Sequence, residues 1–558
     1  MHRIVAHRLL PLLVPMVLAV GPSQGLEQSS FEPVSDETLV TPPESDWLNW
    51  RRTLDGWGFS PLEQIDRANV ADLKLAWSWA LEPGVSQTTP LVYRGVMYIA
   101  SPGGVVQSLD ARSGDLLWEY RRETDEPPRA SEQMRSLAIF GDLIVLNTDD
   151  AHVIAIDART GQVRWDTPTA AEGTTRRFTS GPIVADGVII AGQASCSADQ
   201  GGCDIVGLDG RTGRELWRTS TVPRPGEPGG DTWGGLPMES RAGGEPWMSG
   251  SYDPNTGLVF WGTAQAKPWA RRARGTGDGI ELYTNSTLAL DARTGAIEWY
   301  YQHIPGESHD MDEAYERILI DYDGKRSVFT MGKLGILWEL NRDTGTFVRA
   351  VDLGYQTLVD VDSEIGRVTY RPGVLELERS FYFCPNTGGF RSFRTLAYHP
   401  QVGAFYVPLN LTCETGTFVA TGGVRDRINH FHPMSPDQTG EFMALDLRTG
   451  ERRWSQRRRA PYNTSALTTE GGLVFVGAWD RYVFAYDAAT GDELWRSRLP
   501  TMANGSPITY SVDGQQHIAF VAGSGIAGSS WTTSVPPDLF PEIRNPSQGN
   551  GVFVFSLP

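Results

Sequence analysis

An eleven-residue unit recurs along this chain and restricts its fold more than any other feature. It reads SLDARSGDLLW ending at Trp118, AIDARTGQVRW at Trp165, GLDGRTGRELW at Trp217, ALDARTGAIEW at Trp299, ALDLRTGERRW at Trp454 and AYDAATGDELW at Trp495. A degenerate copy, ELNRDTGTFVR, runs from Glu339 to Arg349 and lacks the Trp. In each copy a strand is expected to end at the Asp. A tight turn follows, with Gly at positive φ, and the next strand begins towards the Trp. Asp110, Asp157, Asp209, Asp291, Asp446 and Asp487 can accept backbone N–H groups within that turn. The indole then packs on a neighbouring unit, where its N–H needs an acceptor.

Between the copies lie alternating apolar runs such as GDLIVLNT and GLVFVGAW, with little helical periodicity. Repeats of roughly 45 residues with about four strands each are the signature of a β-propeller. The expected fold class is therefore all-β, an eight-bladed β-propeller with tryptophan-docking repeats. Six clear copies, one degenerate copy and one blade hidden between Asn341 and Asp446 make up the count. The segment ADLKLAWSWAL, with Trp77, is expected to supply a strand for ring closure.

A chain of 558 residues would ordinarily suggest several domains, but the repeats argue for one, spanning 26–558. Residues 1–25 read as a signal peptide. Arg3 and Arg8 precede the apolar run from Leu9 to Val20, and Ser23-Gln24-Gly25 offers small residues for cleavage. The run is short for a membrane span, so an exported chain with no membrane span is expected. A formal net charge of −18 argues against nucleic-acid binding and suits a cationic partner. Four cysteines in an exported chain suggest two disulfides. Three pairings are open, and near-neighbour pairing, Cys196–Cys203 with Cys384–Cys413, is preferred. No Cys-x-x-Cys-His occurs, so no covalently attached c-type haem is expected.

The repeats do not establish function, because propellers serve as scaffolds and as enzymes. The densest departure is the stretch Gly306 to Glu313, GESHDMDE. If it is extended, Asp310 and Asp312 point to the same side, and their carboxylates need a proton, a cation or open water. An exposed acidic loop is the plainer reading on spacing alone, and a cation site the second.

With its docking units, its opening LDGWGFSPLEQI and its close GVFVFSLP, the chain resembles the pyrroloquinoline-quinone (PQQ)-dependent alcohol dehydrogenases, the eight-bladed quinoproteins. The resemblance implies that Trp247, in GGEPWMSGSYDP, is the aromatic floor under the planar quinone. It implies that Arg135 pairs with a quinone carboxylate, that Thr179 contacts a carboxylate, and that Lys333 hydrogen-bonds the quinone oxygens. Gln87, Ala194, Ser195 and Phe393 complete the implied cofactor contacts. Asp310 falls at the general base, which takes the hydroxyl proton while hydride passes to a quinone carbonyl carbon polarised by a metal. The implied metal ligands are Gln265, Asp310 and Asp312, with Ser197 where a Glu is expected. Asp312 is a position that is Asp in lanthanide-dependent members. Ca²⁺ is nevertheless taken ahead of a lanthanide ion. Cys384 and Cys413 also match a family disulfide.

Several positions depart from the family pattern. Gln265 stands for Asn, Gln87 for Glu, His309 for Trp and Ser392-Phe393 for Asn-Trp, while Arg129-Ala130 occupies the stretch of an adjacent-cysteine disulfide ring. Walls formed by His309, Phe390 and Phe393 would suit a bulky or secondary alcohol. The expected protein is thus a periplasmic enzyme that oxidises an alcohol to the aldehyde or ketone. Its electrons would pass to a separate soluble cytochrome c, and a homodimer is left open. The competing readings are a non-catalytic propeller scaffold of the cell envelope and an aldose dehydrogenase on the same fold.

Overall fold

The computed structural model describes residues 31–123, 133–196, 201–523 and 536–558. The chain divides into Met1–Glu32 and Pro33–Pro558, and the architecture below is that of the second unit. The proposed signal peptide, Arg129-Ala130 and Ser197 lie outside the described residues. No described helix is long and apolar enough to cross a membrane.

The second unit is all-β. Among the described residues, eight sheets each contain a set of four antiparallel strands, and one of these gains Phe59–Ser60 as a parallel fifth. The sheet of Leu91–Tyr93, Val96–Ser101, Val105–Asp110 and Leu116–Arg121 shows the common plan. Its first three strands are buried almost throughout, whereas the fourth is largely exposed around a half-buried Trp118. Such near-continuous apolar strands are what a sheet covered on both faces requires.

The recurring unit sits at the turn between the third and fourth strands. Asp110 Oδ1 accepts the N–H groups of Arg112 and Ser113 at 2.8 and 3.0 Å; Asp209, Asp291, Asp446 and Asp487 accept the equivalent pair, and Asp157 Oδ1 accepts that of Arg159. The Trp of one unit lies on the Gly of the next. At Gly161, φ is 71° and a Cβ would stand 2.7 Å from the Trp118 ring, so a side chain is excluded twice over. Trp118 Nε1 donates at 3.0 Å to Ala158, the carbonyl just after the next repeat's Asp. Trp217, Trp299 and Trp454 donate to the equivalent Ala292, Arg342 and Ala488.

The degenerate copy keeps this contact by other means. Arg349 occupies the Trp position, and its guanidinium donates to the carbonyls of Leu447 and Arg448. Leu447 is again the residue just after a repeat Asp.

The eighth sheet is not hidden between Asn341 and Asp446, as the interval suggested. That stretch holds inserted strands, a pair at Val359–Val361 and Val368–Tyr370 and a three-stranded sheet of Ser380–Phe383, Thr412–Phe418 and Val424–Phe431. The remaining four-stranded sheet joins Ile508–Val512, Gln515–Ala522 and Gly551–Ser556 to Lys74–Ala80. Strands from both ends of the unit thus share a sheet, as expected for the segment carrying Trp77. Trp495 donates to Leu73 and Trp77 to Ala111, which carries the docking series across that junction. The copy looked absent because its third and fourth strands are not consecutive in sequence.

In an antiparallel set, the start of the first strand and the end of the second lie at one end, and the turn from third to fourth at the other. The repeats therefore occupy one end of the sheets. Residues just before first strands or just after second strands gather at the opposite end, clear of the repeats.

Candidate active site

At that opposite end lies a cavity of about 420 Å³, within the usual range for a small-molecule site. Gln87, Arg135, Thr179, Trp247, Asp310, Asp312 and Phe393 reach it from segments that precede first strands. Ala194, Ser195 and Lys333 reach it from segments that follow second strands. Gln265 adjoins it through its bond to Asp310. Every described residue that the sequence nominated for cofactor or metal is thus drawn to one place. Ser197 is not among the described residues, and nothing tests its nomination.

The acidic stretch is not a solvated loop. Glu307, His309, Asp310, Asp312 and Glu313 are all buried. It is not simply extended either, since Asp310 adopts φ 67°. The two aspartates still converge, because Lys333 Nζ lies 3.0 Å from Oδ2 of each. Lys333 also donates to the Asp310 carbonyl at 2.6 Å, and its backbone N–H donates to the Asp312 carbonyl at 3.1 Å. Glu307 accepts the N–H groups of His309 and Asp310 at 2.5 and 3.1 Å, which fixes the turn. Burial pushes the Asp310 carboxyl up to about 6; the Lys333 ammonium opposes the rise and Asp312 adds to it. Burial and, secondarily, the carboxylates of Asp310 and Asp312 act on Lys333, and the carboxylates win, holding it firmly protonated.

Gln265 Nε2 donates to Asp310 Oδ1, which turns the amide oxygen elsewhere. Among the described residues, Gln265 Oε1 and Asp312 Oδ1 have no hydrogen-bond partner although both side chains are buried. Orphaned oxygens beside a carboxylate pair are the donor set of a hard cation. These residues fit a bound metal ion.

The organic side of the cavity is set by Trp247. Its ring is half-buried and edge-packed by Tyr315 at 5.4 Å, and the Arg135 guanidinium lies 5.0 Å from its centroid and 5.5 Å from that of Phe393. Arg135 donates to the Thr179 carbonyl and to Gln133, while its Nε has no partner among the described residues. Burial, reinforced by Arg177, pushes the Arg135 guanidinium down to about 9, so an anionic group here would be welcome. Thr179 Oγ1 and Ser180 Oγ both donate to the Trp247 carbonyl, at 3.1 and 2.7 Å, and fix the ring's backbone. An aromatic platform with a buried guanidinium at its edge fits a planar polycarboxylate such as PQQ.

Two expected wall residues are elsewhere. His309 Nε2 donates to the Val374 carbonyl at 2.8 Å and its ring packs edge-on against Phe418, so it joins an aromatic cluster and does not line the cavity. Burial pushes this imidazole down to about 4, which keeps it neutral. Phe390 is fully buried against Tyr355 and His432. Phe393 does line the cavity.

The sequence reading missed Arg177, Glu245, Asn386, Thr387, Arg427 and Asn429, all of which line the cavity. Arg177 donates to Ser195 Oγ at 2.7 Å, and its place two residues before Thr179 was a usable signal. Asn386, Arg427 and Asn429 come from the inserted strands and the segment tied by Cys384–Cys413. Nothing in their local pattern announces a site. The two disulfides pair as expected, with Cα separations of 5.3 Å for Cys196–Cys203 and 4.3 Å for Cys384–Cys413.

Fold and site together define a β-propeller with an aromatic, cation-ready cavity at one end of its sheets. Residues 47–353 and 440–518 match the PQQ glucose/ethanol/alcohol dehydrogenase β-propeller domain, and the chain belongs to that family. The unmatched interval, 354–439, contains the inserted strands. The chain is 30% identical to the quinoprotein alcohol dehydrogenase PedH of Pseudomonas putida, over 94% of this chain and 93% of that protein. It is 30% identical to the quinohemoprotein alcohol dehydrogenase ADH-IIG of Pseudomonas putida, over 87% of this chain and 73% of that protein. A europium-containing methanol dehydrogenase superposes with a TM-score of 0.85 at 25% identity, covering 94% of this chain and all of that structure.

Proposed function

We propose that this protein oxidises an alcohol to the aldehyde or ketone with PQQ and a metal ion, Ca²⁺ or a lanthanide, in the cavity between Trp247 and Asp310. The observation that carries the reading is the buried Asp310–Lys333–Asp312 cluster opening on the same cavity as Trp247 and Arg135. Trp247 supports the quinone plane, Arg135 and Thr179 its carboxylate edge, and Gln87, Ala194, Ser195 and Phe393 enclose it. Gln265, Asp310 and Asp312 hold the ion. PQQ, when bound, supplies the two-electron acceptor.

Asp310 is the general base. With its carboxyl raised only to about 6, it is ionised at neutral pH and can take the hydroxyl proton. Lys333 keeps that carboxylate aimed by holding the backbone and Oδ2 together. The buried walls limit water at the proton-transfer atom. Electrons leave to a separate cytochrome c, which the acidic chain would steer if the acceptor is basic. The mature enzyme, 26–558, acts in the periplasm after loss of the signal peptide, and the eight four-stranded sets close as an eight-bladed ring.

The test is reconstitution of purified protein with PQQ plus Ca²⁺ or La³⁺, followed by dye reduction over a panel of primary alcohols, secondary alcohols and aldoses. Alcohol-dependent reduction is expected. Failure to bind PQQ with either ion would overturn the reading, and a preference for aldoses would reassign the substrate.

A further inference from the structure

Glu245 and Lys267 belong to no expectation drawn from the sequence, yet both stand at the cation end of the cavity. Ala242–Gly243 pairs antiparallel with Ala266–Lys267, and this short ladder brings the two side chains together. Lys267 Nζ lies 3.0 Å from Glu245 Oε1. Glu245 lines the cavity with Asp310 and Asp312, and Lys267 is within electrostatic reach of both aspartates.

Three carboxylates, those of Glu245, Asp310 and Asp312, therefore share this volume with two ammoniums, those of Lys267 and Lys333. Asp312 Oδ1 and Gln265 Oε1, on side chains of residues 6% and 2% exposed, have no hydrogen-bond partner among the described residues. Buried oxygens of this kind are costly unless a cation or donor meets them. Lys267 pairs with Glu245 and gives neither of these oxygens a hydrogen bond.

Resting on the reading that the cavity holds a metal ion, we propose that Glu245 is the carboxylate that completes its oxygen ligands. Lys267 is then an internal counter-ion that the metal displaces from Glu245. Ser197 stands where the family resemblance places a Glu ligand, and Glu245 brings a carboxylate to the cavity from a different element. A lysine on this carboxylate also weakens the site for any ion it must yield to, by direct competition.

The experiment is calorimetric titration of Ca²⁺ and of La³⁺ into the PQQ-loaded protein, with circular dichroism and thermal unfolding to verify the fold. Glu245→Gln is expected to raise Kd by ~10-fold or more, in the range that loss of a metal-site partner produces. Glu245→Asp, which keeps the charge on a shorter arm, should fall between. Lys267→Met is expected to lower Kd, and that gain should vanish in the Glu245→Gln background. Unchanged affinity in Glu245→Gln, or weaker binding in Lys267→Met, would overturn the proposal. Asp312→Asn separates the two levels of failure. If it abolishes binding while Glu245→Gln does not, the cation site stands and Glu245 is not its ligand. If the wild type binds neither ion, both readings fall.

Discussion

Lys333 Nζ lies 2.6 Å from the Asp310 carbonyl oxygen and 3.0 Å from Asp310 Oδ2. One ammonium thus grips the backbone and the carboxylate of the same residue. That residue has φ 67°, a left-handed conformation that costs a non-glycine residue ~1–3 kcal/mol and persists only where neighbours over-determine it. Glu307, from the other side, accepts the Asp310 N–H. The candidate base is held at three points before any substrate arrives.

Asp310→Asn should abolish alcohol-dependent dye reduction, with a fall of ~10²-fold or more, the scale of a lost general base. The amide keeps the side chain's shape, and Asp312 remains to pair with Lys333. PQQ uptake, read from its absorbance, should therefore survive. Turnover at the wild-type rate would remove the base assignment.

Lys333→Met leaves two buried carboxylates facing each other without their cation. Breaking a buried pair in this way costs ~3–5 kcal/mol, so urea unfolding of the metal-free protein should shift strongly to lower denaturant. Added Ca²⁺ should restore more stability to this variant than to the wild type, since it replaces the missing charge. An equal gain in both proteins would show that the ion binds elsewhere.

Arg349 is the test of the degenerate repeat. Besides the Leu447 and Arg448 carbonyls, its Nε meets the buried Glu339 carboxylate at 2.6 Å. Arg349→Ala should lower stability by ~2–3 kcal/mol, because it strands Glu339 as well as removing the docking contact. Arg349→Ala with Glu339→Gln should recover part of that loss. A neutral Arg349→Ala would mean that this junction does not need a docking side chain.

The disulfides should differ in worth. Cys384–Cys413 closes a separation of 29 residues and Cys196–Cys203 one of 7. Chain-entropy scaling gives about 3.5 against about 2.5 kcal/mol. Cys384→Ser with Cys413→Ser should therefore lower the thermal midpoint more than the matching Cys196, Cys203 pair of changes. It should also raise KM, because the bridge anchors Asn386 and Thr387 at the cavity mouth.

Acid should destabilise the fold through buried imidazoles. Burial pushes His399 and His517 down to about 4, whereas in the unfolded chain each protonates from about 6.5. The unfolded state therefore binds more protons between these values. The stability these groups contribute is complete above pH ~6.5 and is lost as pH falls towards 4. His517→Phe, which keeps the stacking on Tyr510, should flatten the fall in midpoint between pH 6.5 and 4.5. An unaltered slope would assign the acid limb to other groups.

Much of this was legible before any coordinates. The docking unit, its turn-capping Asp, its Gly and its Trp act within one short window, and their chemistry does not depend on what lies far away. The near-neighbour cysteine pairs are equally local. The cofactor candidates were legible through motifs that keep their order along the chain. The hidden blade was misplaced for the complementary reason. Inserted strands before Ala397–His399 and after Ala404–Asn410 lengthened one interval, and the eighth sheet was divided between the two ends of the unit.

The sequence by itself determined an all-β repeat architecture and a family, because strand alternation, turn chemistry and indole docking are encoded over a few residues at a time. The tertiary structure alone decided that the acidic stretch is buried, that Asp310 and Asp312 meet Lys333, and that Glu245 and Lys267 join them. It also decided that Arg349 does the work of a Trp and that His309 turns away from the cavity. Each of these rests on partners brought together by the fold, as when Trp495 bonds to Leu73 across 422 positions. Burial, charge balance and orphaned oxygens exist only once such contacts are made, and the chemistry of the cavity depends on them.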